Sequence, residues 1–405
     1  MEIRPILSAL MRSKVAMILI GLQVALTLAI LCNALFIIND RMLHMKRPTG
    51  MNEADTFMIN SIGFGQAYNV QTSAEADLAL LRGLPGVVDA TMTNGMLPLG
   101  GSGWSSGISL QPKQKTSTAP AAYYMVDDHA INSYGVKLIA GRNFKPEEIQ
   151  FMTMNNRKTA PVGIVTRALA EKLFPGQDAV GKMIYDEDTS TTIIGVIEKF
   201  QAPWLSRGDE EIEYSMMWPA HLPYGNSSSY MIRAEPGRRD EVMKMVEAKL
   251  GDSNKSRIIR NVRSTEKVRA DAYSGDRAMS IILGGVVIAL LAITALGIVG
   301  MASFWVAQRT KQIGTRRALG ATKSAILRYF LTENFLITTA GLILGGVLAY
   351  AVSLWLLTHV DGAKLLPWYY VPVGFVCLWL LGQLAVLGPA TRASRVPPAV
   401  ATRSV

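Results

Sequence analysis

The chain has 405 residues, 49% of them apolar, with a formal net charge of +10 and two cysteines. Residues 40–275 carry 27 basic and 27 acidic side chains, so the excess belongs to the other 14 basic and 4 acidic residues. A charge confined in this way excludes a nucleic-acid footprint, and no nucleic-acid partner is expected. Length allows about two or three domains.

The first element is a run at 15–38 with no Asp, Glu, Lys or Arg. About 20 apolar residues at ~1.5 Å each cross a ~30 Å hydrocarbon layer, so this run is long enough for a membrane helix. It is longer than the apolar core of a signal peptide, about 7–15 residues, and no small-x-small cleavage site closes it before Asn39-Asp40-Arg41. Residues 1–39 are read as a short leader and a retained span. Within it, Gln23, Thr27 and Asn33 are placed to bond a neighbouring helix.

Residues 40–275 form a balanced, cysteine-free domain large enough for its own core. A strand is expected at 56–62. A capping box, Thr72-Ser73-Ala74-Glu75, then starts a helix bearing Leu78, Leu81 and Leu84, which Gly83–Gly86 ends. A strand follows at 87–92. The pattern recurs as a strand at 230–233, a helix at 240–250 with Val242, Met245, Val246 and Leu250 on one face, and a strand at 258–262. Two such units can share one ferredoxin-like layer, 50–124 with 226–265. Between them, 125–225 reads as an inserted mixed subdomain with strands at 162–166 and 191–197 and a helix at 167–174. Segments 95–107 and 111–120 read as flexible loops.

The second span is placed at 276–307, the third at 329–360 and the fourth at 365–391. Between the second and third, 308–328 carries Arg309, Lys311, Arg316, Arg317, Lys323 and Arg328. Arg4, Arg12 and Lys14 precede the first span; Arg392, Arg395 and Arg403 follow the last. The positive-inside rule puts both termini and 308–328 in the cytoplasm, with 40–275 outside. Some of these cations will also meet anionic lipid. The fold class is an α+β membrane protein: four transmembrane helices with a large α/β domain between helices one and two.

The sequence matches no catalytic motif at the required spacing. A phosphate-cradling loop needs G-x-x-x-x-G-K-[ST]; Gly314 and Gly320 are separated by five residues, and Ala321-Thr322 parts Gly320 from Lys323. His44, His129, His221 and His359 match no zinc spacing, and no nucleophile elbow occurs. No bound cofactor, metal or catalytic residue is expected. In the spans, Gly341-x-x-x-Gly345 permits close helix approach. Glu333, at the start of span three, needs a partner there; it either snorkels toward Arg328 or couples the span to the basic segment.

This layout resembles the MacB/FtsX-type, or type VII, ABC transporter permeases. "QRTKQIGTRRALGATKSAILRYFLTENFLI" (308–337) is similar to the family segment between its second and third spans. "LRGLPGVVDATMTNGMLPLGG" (81–101), "YGVKLIAGRNFKPEE" (134–148), "VTRALAEKLFPGQDAVGKMI" and "IIGVIEKF" resemble its periplasmic domain, and "PATRASRVPPAVATRS" (389–404) its closing segment. The resemblance implies a bacterial inner-membrane permease. It would work as a pair with an identical or related copy and with two ATPase subunits that bind ATP and Mg. Its outer domain would be a porter-like layer plus an insertion, moved mechanically by ATP turnover. Carried over residue by residue, Gln308, Arg309, Thr310, Lys311, Gln312, Ile313, Gly314, Arg316, Arg317, Ala318, Leu319, Gly320 and Ala321 would dock the ATPase. The arginines and Lys311 would meet acidic grooves, Ile313 and Leu319 an apolar one, and Gly320 would end the helix.

The member that gives MacB its name carries an ATPase in the same chain ahead of span one; here only a short stretch precedes it, so a separate ATPase is expected. The expected job is export of peptides, antibiotics or other amphipathic compounds, with a periplasmic adaptor and outer-membrane duct as further partners. The alternatives are a mechanical transducer regulating a cell-wall hydrolase and a permease that extracts lipoproteins.

Overall fold

The computed structural model describes residues 14–154, 160–205, 208–360 and 362–397. Arg4, Arg12, Arg403 and the end of the 389–404 segment lie outside these. The chain divides into two compact units, Arg47–Ser274 and the flanking residues up to Lys46 and from Gly275.

The Arg47–Ser274 unit opens with β1 (Thr56–Gly63), α1 (Val70–Gly83) and β2 (Val87–Thr93). Next come β3 (Ser105–Ser109), β4 (Ala119–Val126), α2 (Ala130–Tyr134), β5 (Leu138–Gly141), β6 (Gln150–Phe151) and β7 (Val162–Thr166). They are followed by α3 (Arg167–Leu173), β8 (Met183–Asp186), β9 (Thr189–Ile197) and β10 (Ser215–His221). The unit ends with β11 (Ser227–Ala234), α4 (Arg239–Ser253), β12 (Arg257–Ser264) and α5 (Thr265–Ala272).

The outer strands form one antiparallel sheet in the order β12-β1-β11-β2, with β11 threaded between β1 and β2. Strand alternation sends Phe57, Ile59, Ala90, Met92, Tyr230 and Ile232 to one face. There they bury Leu78 and Leu81 of α1 and Val242, Val246 and Leu250 of α4. Full burial of such side chains contributes about 1.5–3 kcal/mol each. One buried ion pair ties this layer: Asp77 receives Arg257, and Tyr230 donates to Asp77 at 2.8 Å. Helix α1 is capped three residues before the expected capping box. Asn69 is its N-cap, accepting from the amides of Gln71 and Thr72, because an Asn carbonyl reaches amides two and three residues on.

The inserted strands run β4-β3-β8-β9-β7-β10, and β10 also pairs in parallel with β4, closing them into a ring. This corrects the boundary at 125. The insertion begins with β3 at Ser105, and parts of both expected loops, 95–107 and 111–120, are strand. Hydroxyls and glycine disguised β3 (Ser-Ser-Gly-Ile-Ser). Strand β4 hid because it is buried on both faces, with Tyr123 facing the ring and Tyr124 the layer outside it.

Ring and outer sheet meet through Tyr124, Tyr134, Phe200, Met217 and Met231. Beside this apolar seam lies a polar one. Asp127 accepts from Arg82 at 2.7 Å and Thr91 at 2.6 Å and sits 3.2 Å from His221 Nε2. Asp89 sits 2.8 Å from His129 Nδ1. Burial opposes ionisation of Asp127, but hydrogen bonding and charge from His221, then Arg82 and Thr91, outweigh it and hold its pKa below the usual value.

Among the described residues, the other unit has four helices long and apolar enough to cross a membrane. Span one is Lys14–Met45, span two Ser274–Gln308, span three Lys323–His359 and span four Tyr370–Ser394; a short interspan helix, Thr310–Ala318, links two and three. Spans one and three touch backbone to backbone: a Cβ on Gly341 would lie 2.6 Å from Gly21 O, and one on Gly345 2.8 Å from Ala25 O. Close approach, not mere tolerance, therefore accounts for the Gly-x-x-x-Gly.

Span one's polar residues all bridge helices. Gln23 Nε2 donates to Ile293 O (3.1 Å), Thr27 and Thr294 share a hydrogen bond (2.8 Å), and Asn33 Nδ2 donates to Ala349 O (3.0 Å). At one end Arg41 pairs with Asp276, and Lys364 with Asp40 at 3.0 Å.

Candidate functional site

Span two ends at Gln308, and Arg309 turns the chain into the interspan helix. Its amide still donates to Trp305 O (3.0 Å), while its own carbonyl accepts from Ile313 (2.9 Å). Two hydrogen bonds stop the helix at its far end: Gly320 N donates to Arg317 O and Ala321 N to Arg316 O. This is a Schellman turn, and it requires Gly320 to take φ +97°. Thr322 then caps span three by accepting from Ala325 N (3.2 Å). Span three therefore begins at Lys323 and not at 329; the last residues of the expected basic loop are already helix.

The helix is amphipathic across its short length. Gln308 before it is exposed. Thr310, Ile313, Gly314 and Arg317 share one face, buried or half-buried; Lys311, Gln312, Thr315, Arg316 and Leu319 share the other and are exposed, as is Ala318. Leu319 is 84% exposed and Ile313 only 4%. The expectation that Ile313 fills a partner's groove is therefore wrong. Ile313 sits in this chain's own core with Trp305, Ile326 and Phe330. Its i, i+3, i+4, i+7 companions signalled that face in the sequence.

Arg309 is likewise committed inward. Both Glu333 oxygens lie 2.9 Å from its Nη1, and Tyr329 OH lies 3.4 Å away. Glu333 is 1% exposed, so this is a buried charge with one nearby counter-ion. Its partner is Arg309, not Arg328, which is exposed. Arg317 donates to Ser394 O at the end of span four, and Arg316 lies over the Tyr329 ring at 5.1 Å. The interspan helix is thus clamped to span three by Ile313 and the Arg309–Glu333 pair and to span four by Arg317. It presents Lys311, Gln312, Arg316 and Leu319 outward. Such a surface can take a partner with an apolar pocket and acidic rim, and the clamp can carry a push on that surface into the spans.

Two family models cover most of the chain. Residues 24–249 match the family model of the MacB-like periplasmic core domain, and 284–398 that of the FtsX-like permease C-terminal. An uncharacterized ABC transporter permease, YknZ of Bacillus subtilis, is 22% identical over 82% of this chain and 79% of its own length. The macrolide export ATP-binding/permease protein MacB of Chromobacterium violaceum is 24% identical over 89% of this chain and 53% of its own. The chain spans about half the length of the MacB relatives it matches. The crystal structure of the periplasmic region of MacB from Actinobacillus actinomycetemcomitans aligns at a TM-score of 0.33 and 14% identity, over 56% of this chain and 97% of that one.

Proposed function

The chain belongs to the family of ABC transporter permeases with a MacB-like periplasmic core and an FtsX-like C-terminal domain, and from that premise we propose that it serves a separate ABC ATPase as the membrane partner of an exporter. Its cargo is a peptide, antibiotic or other amphipathic compound that never passes between the spans. ATP and Mg are held by the ATPase. Two ATPase subunits serve two permease copies in a bacterial inner membrane, both termini and the interspan helix face the cytoplasm, and the Arg47–Ser274 unit faces the periplasm.

The observation that carries this reading is the interspan helix itself. A positive-inside loop needing only charge would have no reason to bury Ile313, close with a Schellman turn and pin its first residue to a buried glutamate. A docking helix needs all three, because a force applied to its outer face must not be lost in bending. The exposed Leu319 between cations has the composition of an interface anchor. Mechanical signalling to a hydrolase and lipoprotein extraction would use the same helix; the Gly341 and Gly345 contact, which holds spans one and three backbone to backbone, leaves no lipid-wide opening between those two.

The test is pull-down of the ABC ATPase encoded nearest to this permease. Leu319→Asp with Lys311→Glu should weaken association at least about tenfold, or 1.4 kcal/mol, while leaving the fold intact, since both side chains are exposed. Unchanged association would remove the docking assignment.

A further inference from the structure

Away from the spans, the outer sheet of the Arg47–Ser274 unit carries a cleft that the coupling argument does not use. The face of this sheet opposite α1 and α4 changes character along its length. Met58 and Met231 pair across it and lie in the apolar seam with the ring. Two residues further on, the row becomes polar: Asn60 opposes Ser229, and Ser229 opposes Thr93. Period-two alternation puts all three on the same face as the methionines.

That polar row is not left open to water. Segment 94–104 folds over it, held by Asn94 Nδ2 to Tyr123 O (3.1 Å), Gly101 N to Pro203 O (3.0 Å) and Trp104 N to Met96 Sδ (3.2 Å). A Cβ on Gly103 would lie 2.6 Å from Met96 Cε and 2.8 Å from Pro203, so the cover is tightly seated. Between row and cover is a cavity of about 390 Å³, within the range of about 300–1,000 Å³ for small-molecule sites. Met96, Trp104, Leu222 and Tyr224 supply its apolar walls; none of its lining residues is charged.

Two details point to an occupant. Asn60 Oδ1 is out of solvent and has no hydrogen-bond partner among the described residues, an arrangement that costs about 1–3 kcal/mol unless a donor arrives. Tyr224, at the rim, is 75% exposed, a flat aromatic surface free to cover an apolar ring.

We propose that this cleft binds an uncharged amphiphile, an apolar or aromatic body carrying hydroxyl or amide groups along one edge. The donor edge satisfies Asn60 and runs along Ser229 beside it, and the body lies against Trp104 and Tyr224. The neutral lining selects against ionised ligands, because burying a charge there without a counter-ion is costly. The proposal rests on the exporter reading only in making this ligand cargo; the binding itself needs no ATPase.

The test uses the full chain in lipid nanodiscs and methylumbelliferyl glucoside, an uncharged aromatic glycoside, measured by equilibrium dialysis against empty nanodiscs. The expected result is saturable binding, with half-saturation below about 1 mM. Methylumbelliferyl glucuronide, which adds one carboxylate, should bind at least about tenfold more weakly. Tyr224→Ala, at an exposed position, should weaken the glucoside several-fold, and Asn60→Ala should do so with no loss of thermal stability. Ser102→Trp, at the exposed rim, should block it. Glucoside uptake no greater than in empty nanodiscs, equal binding of the glucuronide, or binding indifferent to all three substitutions would each overturn the proposal. Failure of ATPase association, by contrast, bears only on the interspan helix.

Discussion

The Arg309–Glu333 pair yields the sharpest quantitative prediction. Glu333 is almost fully buried and takes two hydrogen-bonding contacts at 2.9 Å from one guanidinium nitrogen. A hydrogen bond to a charged group contributes about 1.5–3 kcal/mol net, but desolvating both ions offsets much of that. Removing one partner is different, because the other stays buried and uncompensated; such losses run about 3–5 kcal/mol. Arg309→Met should therefore lower stability by about 3 kcal/mol, and Glu333→Gln by less, since the amide oxygen still accepts from Arg309, whose side chain is less buried than Glu333 and keeps some access to water. The double variant Arg309→Met with Glu333→Met should recover most of the loss, because two packed apolar side chains remove both desolvation terms. Thermal unfolding in nanodiscs measures all three.

Recovery of stability should not restore coupling. The ATPase bound to the double variant should hydrolyse ATP at a rate that no longer responds to cargo, although association persists through Lys311 and Leu319. A double variant as unstable as Arg309→Met would refute the buried-pair energetics. A stable double variant with full coupling would refute the clamp.

Three further outcomes follow from contacts elsewhere. Gly345→Leu should destabilise the membrane unit by about 1–3 kcal/mol, because its Cβ would fall 2.8 Å from Ala25 O, while Gly300→Ala, with no atom near its Cβ, should be neutral in the same melt. Thr27→Val should cost about 0.6 kcal/mol, the mean for hydrogen bonds between membrane helices. The Asp127 seam makes stability pH-dependent in a defined direction. Its pKa is depressed in the fold, so its contribution is complete above the ordinary value of 3.8 and fades as pH falls through the lower folded value. Asp127→Asn should flatten that acid limb and, by removing the charge that Arg82 and His221 share, lower stability at neutral pH, as read by chemical denaturation.

The elements legible in the sequence were those whose burial has a simple period. A span needs only a long charge-free run, and α4 shows Val242, Val246 and Leu250 at helical spacing. Strands β3 and β4 escaped for the opposite reason. A strand in a closed ring is lined on one side by the barrel interior and on the other by a neighbouring layer, so alternation disappears. What remains, Ser-Ser-Gly-Ile-Ser or Ala-Pro-Ala-Ala, reads as a turn. Closure depends on the β4–β10 pairing, between residues about ninety apart, and no local pattern encodes a contact at that distance.

The interspan helix was legible as a basic stretch between two spans but not in the facing of its side chains. A charge count weighs its cations alike whichever way each side chain points, so charge alone made every one a candidate for the partner. Periodicity separates them. With Ile313 and Gly314 inward, Thr310 and Arg317 must follow at one helical turn, leaving Lys311, Gln312, Arg316 and Leu319 outward. Arg309 falls outside that rule because it precedes the helix, and its commitment to Glu333 spans a turn and a helix boundary. Two residues that a charge count assigns to docking and to snorkelling thus form a single device. The consequence is directional. If the proposed docking role holds, the outward surface is free to diverge with its partner, whereas Ile313, Arg309 and Glu333 are constrained by this chain's own packing. Exchanging only the outward residues for those of a related permease should therefore move ATPase preference without disturbing the spans, and a chimera that unfolds would show that the two faces are not separable.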